Sequence, residues 1–538
     1  MQLMKFAKKA NTGKLLNCLA ALAALCGLLA LTNPGPALAG YNTVTASRTT
    51  AELPVEKAPL LTWSGDPKTS QTITWLMPNT CVTAKVQYLK STDYTGSFAA
   101  AQEAEAVSRS FGASGEYNLF SVNLTGLLPG TQYTYRVGVG EDWGQEHIFT
   151  TAQDTDSFSF LYLGDVQSGY STGWDSRWDA MLQSAYFNYP DLKFSLQGGD
   201  LTDDDSETEY RQFLGAATGV FSRIPFMPAM GNHDGSFYLD FFTLPENAPG
   251  SLKERFYSFD YGNAHFAVLD SSSNGAAAAA EWLRQDLQNS DSRWKFVVFH
   301  HPAYYVYNDG KTTIYDAIKE NWVPIFEQNG VDMAFVGHQH VYMRTYPMYQ
   351  GMIKDNPADG IVYVMGVSGS KLYGAGPGYD YVAKELAGVS NYEVISIDGD
   401  TLTLMARDAA GQVIDSYTLV KQPVDGHAVY IITPTADTAY QTGATLEGIK
   451  TMTVNSGVSG MKYFNVHIAP VSAHDGLETV VFTHLRNGVQ LSINMTKADF
   501  DVVDTARAGF NVQPGDVVQV YIVDDLTNEP DCNPTILQ

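Results

Sequence analysis

Asp165, Asp200, Asn232, His300, His338 and His340 occur in this order, each within a short motif marked by glycine or proline. The motifs read Gly164-Asp165-Val166, Gly199-Asp200, Gly231-Asn232-His233-Asp234, Val297-Val298-Phe299-His300-His301-Pro302 and Gly337-His338-Gln339-His340. Apolar, strand-like runs precede three of them: Ser157–Leu163 before Asp165, Leu192–Leu196 before Asp200 and Lys295–Phe299 before His300. Potential ligands therefore stand where strands end. In open α/β sheets, loops at the carboxyl edge converge from distant parts of the chain, so a wide sequence spacing is compatible with one compact site. The pattern predicts a layered, sheet-based α/β domain.

The residue types suit a pair of cations. Two divalent or mixed-valence ions about 3.5–4 Å apart need a bridging carboxylate, further oxygen ligands, and imidazoles that select transition metals such as Fe, Mn or Zn over magnesium and calcium. Asp200 is the candidate bridge, and neutral Asn232 contributes an amide oxygen without adding negative charge that would repel an anionic phosphate. Taken singly, each motif is weak, because Gly-Asp is a common turn and Asn readily takes a left-handed conformation. Their agreement in order, type and strand context decides the matter in favour of phosphate ester hydrolysis.

This motif set resembles the calcineurin-like metallophosphoesterases, and Gly337–Pro347 looks most like the purple acid phosphatases, with the resemblance running from about Leu61 to about Val420. The resemblance implies that Asp165 and His340 hold the first metal, that Asn232, His300 and His338 hold the second, and that Asp200 bridges. It places His233 beside the metals as a phosphate ligand or proton donor. The implied reaction is attack of a metal-bound hydroxide on phosphorus, with His233 or His301 protonating the leaving alkoxide. Departures bear on the first metal. The tyrosine whose phenolate binds ferric iron in purple acid phosphatases is missing from Gly199-Asp200-Leu201-Thr202-Asp203, and Gln167 stands where other metallophosphoesterases have a histidine. The remaining position on that metal is open to Gln167, Asp203 or solvent. Met343 replaces the family's glutamate before arginine, and the histidine-rich stretch of plant members is absent from Tyr304–Thr313, so substrate recognition is expected to differ.

A chain of 538 residues is too long for one core. Residues 1–39 carry Lys5, Lys8, Lys9 and Lys14, the apolar run Leu15–Leu31 and then Ala37-Leu38-Ala39, which reads as a secretory signal peptide rather than an uncleaved anchor. The expected location is extracytoplasmic, secreted or at the cell surface or periplasm, with no stable membrane span after cleavage. Removing the four lysines of the leader leaves 29 basic against 58 acidic residues, a net charge near −29. So acidic a surface repels nucleic-acid backbones and excludes long nucleic acid as a partner, leaving a small phosphate ester as the expected substrate. Cys81 and Cys532 are the only cysteines beyond the leader, and their pairing does not follow from the sequence.

After a Thr-, Ala- and Pro-rich linker at 40–59, alternating strands at Thr72–Trp75, Val82–Leu89, Tyr117–Leu124 and Tyr133–Val139 predict a β-sandwich over 60–152. Leu124–Tyr133 resembles the corner of fibronectin type III domains, and purple acid phosphatases often carry such a domain in front of the catalytic one. Its expected role is that of a rigid spacer. The catalytic region, 156–420, includes expected helices at Ala276–Leu287 and Thr313–Gln328. The aromatic clusters Tyr304–Tyr307 and Tyr373–Tyr381 either line a pocket or pack. A small all-β module is expected over 427–538, with a hairpin through Arg486-Asn487-Gly488 and a strand at Val517–Val523. It either contacts the cell envelope or covers the catalytic domain, and its histidines, His427, His467, His474 and His484, read as incidental. The expected activity is phosphomonoester hydrolysis of the acid phosphatase type. Phosphodiesterase or nucleotidase activity at the same metals is one rival, and a non-catalytic, metal-stabilised cell-envelope binding protein is the other.

Overall fold

The structure is a computed structural model that describes residues 57–112, 114–167, 176–272, 276–354, 356–421, 429–445, 449–471, 477–524 and 537. The expected signal peptide, Cys532, His427 and His474 lie outside these residues. Among the described residues, no helix is long and apolar enough to cross a membrane.

The N-terminal part is a β-sandwich. One sheet orders its strands Leu60–Thr62, Ser70–Pro78, Tyr117–Thr125 and Val107–Phe111; the other orders Gln102–Glu105, Lys85–Lys90, Gln132–Val139 and Asp142–Trp143. Ile73, Trp75, Phe120, Val86, Tyr135 and Val137 alternate inward and form its core. The corner before Gln132–Val139 closes on Tyr133, whose hydroxyl accepts the Leu128 N–H at 3.0 Å. The expected strand at Val82–Leu89 begins only at Lys85, and Val82 is exposed.

The central part is built from two sheets packed face to face between helices. The first orders Phe226–Pro228, Ser195–Gln197, Ser157–Leu163, Asn391–Asp398, Thr401–Asp408 and Val413–Val420. Its first three strands are parallel and the rest antiparallel. The second orders Tyr257–Tyr261, Ala264–Leu269, Trp294–Phe299, Met333–Val336, Val362–Met365, Tyr342–Thr345 and Val382–Leu386, with a parallel centre. The sheets meet through an aromatic wall: Phe160 lies with ring centroids 5.2, 5.5 and 6.0 Å from Phe266, Phe296 and Phe335. Every one of these rings is fully buried, each contributing about 1.5–3 kcal/mol of apolar burial, so the two sheets are held in a fixed offset. Tyr162 reinforces it by donating its hydroxyl to the Val336 carbonyl at 2.6 Å.

Helices Ser176–Asn188 and Glu207–Phe221 bury Trp178, Leu182, Phe213 and Val220 in the core of the first sheet. Ala276–Asn289, Thr312–Asn321 and Val323–Gln328 bury Leu283, Leu287, Ile318 and Phe326 with the second. The result is a helix–sheet–sheet–helix stack. The single helix expected over Thr313–Gln328 is two helices, because Pro324 has no N–H to continue the ladder and instead opens a new first turn behind Trp322.

The C-terminal part is a second sandwich, of three and five strands, with its own core of Phe464, Phe482, Phe510, Val518 and Ile522. Its strongest sequence feature forms the hairpin Glu478–Arg486 to Val489–Ala498, turning through Asn487 and Gly488 at φ 52° and 77°. Two positive φ values in succession are what a two-residue hairpin turn requires. His484 is buried there against Asp516 at 2.8 Å, and His467 Nδ1 donates to the Asp504 carbonyl.

Candidate metal centre

All six candidate ligands follow strands of the central sheets directly. Asp165 follows Ser157–Leu163, Asp200 follows Ser195–Gln197, Asn232 follows Phe226–Pro228, His300 follows Trp294–Phe299, and His338 and His340 follow Met333–Val336. The strands come from both sheets, so the fixed offset of the aromatic wall brings the two sets of strand ends to one place. Three of the six sit in left-handed backbone: Asp200 at φ 57°, His338 at 76° and His340 at 45°. Such conformations cost of order 1–3 kcal/mol each and persist where surrounding structure enforces them, which marks this edge as a built site.

The glycines of the motifs explain why the loops converge so closely. A Cβ on Gly231 would lie 2.2 Å from Asp200 Oδ1, and one on Gly337 would lie 2.5 Å from Asp165 Oδ2. Only glycine lets the neighbouring backbone reach the carboxylates. Asp234 welds two of the loops: its Oδ1 accepts the Leu201 N–H at 2.9 Å and its Oδ2 accepts the Gly231 N–H at 2.9 Å.

The donor atoms fall into two groups sharing one member. Asp200, His300 and His338 form one and Asp165, Asp200 and His340 the other, with the ligand atoms of each within 4.8 Å of one another. His300 Nε2 lies 3.2 Å from Asp200 Oδ2, 3.1 Å from Asn232 Oδ1 and 3.2 Å from His338 Nδ1. His340 Nε2 lies 3.4 Å from Asp165 Oδ1. Each imidazole is oriented from behind. His300 Nδ1 donates to the Gly198 carbonyl at 2.9 Å, His340 Nδ1 donates to the Lys371 carbonyl at 2.5 Å, and His338 Nε2 faces Asp309 Oδ2 at 3.2 Å. Fixing one ring nitrogen leaves the other aimed inward, where a metal can take the place of its proton, the usual arrangement behind a metal-ligating histidine.

The electrostatics match a site that requires cations. Burial, opposed in part by His300 and reinforced by Asp200, pushes Asp165 up to about 7. Burial likewise opposes the charge on Asp200, but the His300 imidazolium and its hydrogen bond outweigh it and hold that carboxyl well below its ordinary range. Burial drives His340 down to about 3. Two carboxylates and three inward-facing imidazoles thus share a desolvated space, and the set of oxygen and nitrogen donors fits two transition-metal ions.

The remaining expected residues separate. His233 sits at the rim with its side chain 33% exposed, its backbone N–H on Asp200 Oδ1 at 2.8 Å and its Nδ1 on the Asp203 carbonyl at 2.6 Å. His301 is only 1% exposed, with its ring 5.0 Å from His300 and 4.5 Å from His338. Burial, together with the charges of those two histidines, holds it well below the usual imidazole range. Gln167 and Asp203 both receive hydrogen bonds from Lys371, at 3.1 and 3.2 Å. Tyr304 and Tyr381 pack on each other and Tyr373 stacks on His340 at 4.5 Å, so the aromatic clusters divide between packing and the site. The sandwich in front binds elsewhere on the central part, through Tyr135 to the Ser222 carbonyl and Thr62 to the Thr243 carbonyl. Sequence reasoning missed Asp309, Asp234 as a clamp, and Lys371; Asp309-Gly310 reads as a turn, and nothing local links Lys371 to a site.

Comparison with known proteins agrees with this geometry. Residues 57–151 match the purple acid phosphatase N-terminal domain, and residues 158–342 match the calcineurin-like phosphoesterases. The chain is a purple acid phosphatase-like calcineurin-like metallophosphoesterase. It is 24% identical over 362 residues to acid phosphatase type 7 of Danio rerio, covering 57% of this chain and 79% of that protein. It is 24% identical over 276 residues to purple acid phosphatase 23 of Arabidopsis thaliana, covering 42% of this chain and 58% of the relative. The purple acid phosphatase from yellow lupin (Lupinus luteus) seeds shares the fold at a TM-score of 0.57 and 19% identity, over 68% of this chain and 74% of that one. These matches indicate a metal-dependent phosphoester hydrolase of a kind that uses a binuclear metal centre.

Proposed function

We propose that the protein is an extracytoplasmic phosphatase that hydrolyses phosphomonoesters at a pair of metal ions held by Asp165, Asp200, Asn232, His300, His338 and His340. The observation that carries this reading is the convergence of three oriented imidazoles on two buried carboxylates, with Asp200 common to both groups. Two Fe, Mn or Zn ions held by these residues would supply Lewis acidity for activating water and offsetting the charge of the phosphate.

The chain's own residues supply the rest. Asn232 adds an oxygen donor without charge, so the centre stays attractive to an anion. Of the two expected proton donors, His233 takes the role. Its Nδ1–H is committed to the Asp203 carbonyl, which leaves Nε2 of a partly exposed ring to deliver a proton to the leaving oxygen. His301 is buried and held neutral behind His300 and His338, which suits a packing role.

The test is hydrolysis of a phosphomonoester against the matching diester by residues 40–538 loaded with Fe, Mn or Zn, with Asn232→Ala as the control. Metal-dependent preference for the monoester, lost in the variant, is expected. Preference for the diester would move the function to phosphodiester or nucleotide cleavage. Metal uptake without turnover of either ester would leave a metal-stabilised binding protein.

A further inference from the structure

Gln167 and Asp203, the two side chains nearest in sequence to the first metal's ligands that are free to complete it, are both engaged by one cation. Lys371 Nζ donates to Gln167 Oε1 at 3.1 Å and to Asp203 Oδ1 at 3.2 Å, and the lysine side chain is only 12% exposed. Gln167 is fixed from its other end by donating Nε2–H to the Thr202 carbonyl at 3.1 Å. Asp203 is fixed by the start of the next helix, where Ser206 Oγ accepts the Glu209 N–H as the cap and the Glu209 carboxylate accepts the Ser206 hydroxyl and the Asp203 and Asp204 N–H groups. Lys371 and Asp203 also touch the site through their backbones: the Lys371 carbonyl accepts from His340 and the Asp203 carbonyl from His233. Asp203 Oδ2 is buried without a hydrogen-bond partner among the described residues. This buried carboxylate, three residues from Asp200, keeps a spare oxygen yet stands outside both donor groups, and the ammonium of Lys371 offsets its charge.

We propose that Lys371 sets the charge of the first metal position, neutralising Asp203 and keeping that carboxylate off the metal, so that the position selects a divalent over a trivalent ion. The inference rests on the reading of the six side chains as metal ligands. With Asp203 neutralised, the first position has the carboxylates of Asp165 and shared Asp200 and one neutral imidazole. Each added unit of negative charge in a poorly solvated site favours a trivalent ion more than a divalent one, because the Coulomb energy scales with the ion's charge.

Two variants separate this role from a merely structural one, because their effects have opposite signs. Lys371→Met frees the Asp203 charge and is expected to raise the preference for gallium(III) over zinc(II) by about tenfold or more. Asp203→Asn removes the carboxylate that faces the ammonium and makes the first position more positive, which is expected to weaken uptake of both ions, gallium(III) most. Lys371→Arg keeps the charge and the wild-type preference. The measurement is competitive loading of the full chain with the two ions from chelate buffers, read by elemental analysis, with the melting temperature of the metal-free protein as the check on folding. Lys371→Gln replaces Lys371→Met if the latter does not fold. Normal uptake by the wild type with no change in preference, or a shift in the same direction for both charge variants, would overturn the role of Lys371 while leaving the metal centre intact. Uptake of neither ion by the wild type would overturn the metal centre itself, and this inference with it.

Discussion

The central part of the molecule pairs buried histidine with carboxylate in two places, and the second ring nitrogen tells them apart. At the strand ends, His300, His338 and His340 each commit one nitrogen to Gly198, Asp309 or Lys371 and aim the other inward. On the strand Ala264–Leu269, His265 commits both: Nδ1 lies 2.7 Å from Asp260 Oδ1 and Nε2 lies 2.9 Å from Asp286 Oδ2. In the first arrangement the second nitrogens converge on one space, where a metal can take the place of a proton: burial opposes the charge on His300, but Asp200 and Asp165 outweigh it and lift that ring to about 9. In the second the two nitrogens face separate carboxylates and serve only a proton: burial opposes the charge on His265, but Asp260 and Asp286 outweigh it and lift the imidazole to about 9. The same residue types at similar burial therefore give a cation site or an ion pair according to what stands behind the ring.

The sharpest way to break this comparison is to remove the carboxylate shared by both halves of the centre. Asp200→Ala is expected to lower kcat by about 10³-fold or more, since each 1.4 kcal/mol of lost transition-state stabilisation is a factor of ten and the ions account for several kcal/mol. Elemental analysis of the purified variant should show that both ions are depleted. The metal-free variant is expected to be less stable than the metal-free wild type near neutral pH, because the His300 imidazolium loses the carboxylate that it holds ionised and the His233 N–H loses its acceptor. Retention of two ions and full turnover would mean that Asp200 does not bridge.

The candidate metal centre was more legible in the sequence than its surroundings. Asp165, Asp200 and His300 were legible because each ends an apolar run, and Asn232 and His338 because a glycine marks each motif; why glycine stands there, a side chain at Gly231 or Gly337 colliding with a carboxylate, was visible only in the structure. Their spacing is a local property of strand, turn and glycine. The groups that orient or neutralise these residues are not local. Lys371 meets Gln167 across 204 positions of sequence, and Asp309 meets His338 from a loop whose only sequence feature is a turn. No periodicity records such a meeting, which depends on how the two sheets are offset. The fold shows the same division. The alternating strands of both sandwiches and the Asn487-Gly488 turn were legible, whereas the break between Thr312–Asn321 and Val323–Gln328 required weighing Pro324 against an otherwise helical run.

A milder perturbation tests whether the group behind the ring matters as much as the ring. Asp309 faces His338 Nε2 at 3.2 Å and also accepts from Tyr315 at 2.5 Å and Gln339 at 3.0 Å, so it is a fixed acceptor. Asp309→Asn keeps the shape but weakens the hold on the imidazole. Metal affinity is expected to fall by about 10–100-fold, the usual cost of losing an outer-shell carboxylate. Chelator competition measures it directly. Unchanged affinity would show that His338 is oriented by packing against His301 alone.

The smallest effect is expected at His265, where the comparison predicts a response to pH and none to metal. Its folded-state value is raised above the ordinary 6.5, so the stabilisation is fully present below about pH 6.5 and is lost as pH rises through about 9. The shift is worth at most a few kcal/mol. Since Asp260 is 69% exposed and screened, a contribution of about 2 kcal/mol is expected. Urea unfolding of the wild type and His265→Gln at pH 6 and at pH 10 isolates it: the stability difference between the two proteins should be about 2 kcal/mol larger at pH 6. Metal affinity of His265→Gln at neutral pH should equal that of the wild type, because neither of its nitrogens faces the strand-end site. A difference in stability that stays constant across this pH range would show that His265 is held as a neutral ring, and that commitment of both nitrogens does not by itself make a proton site.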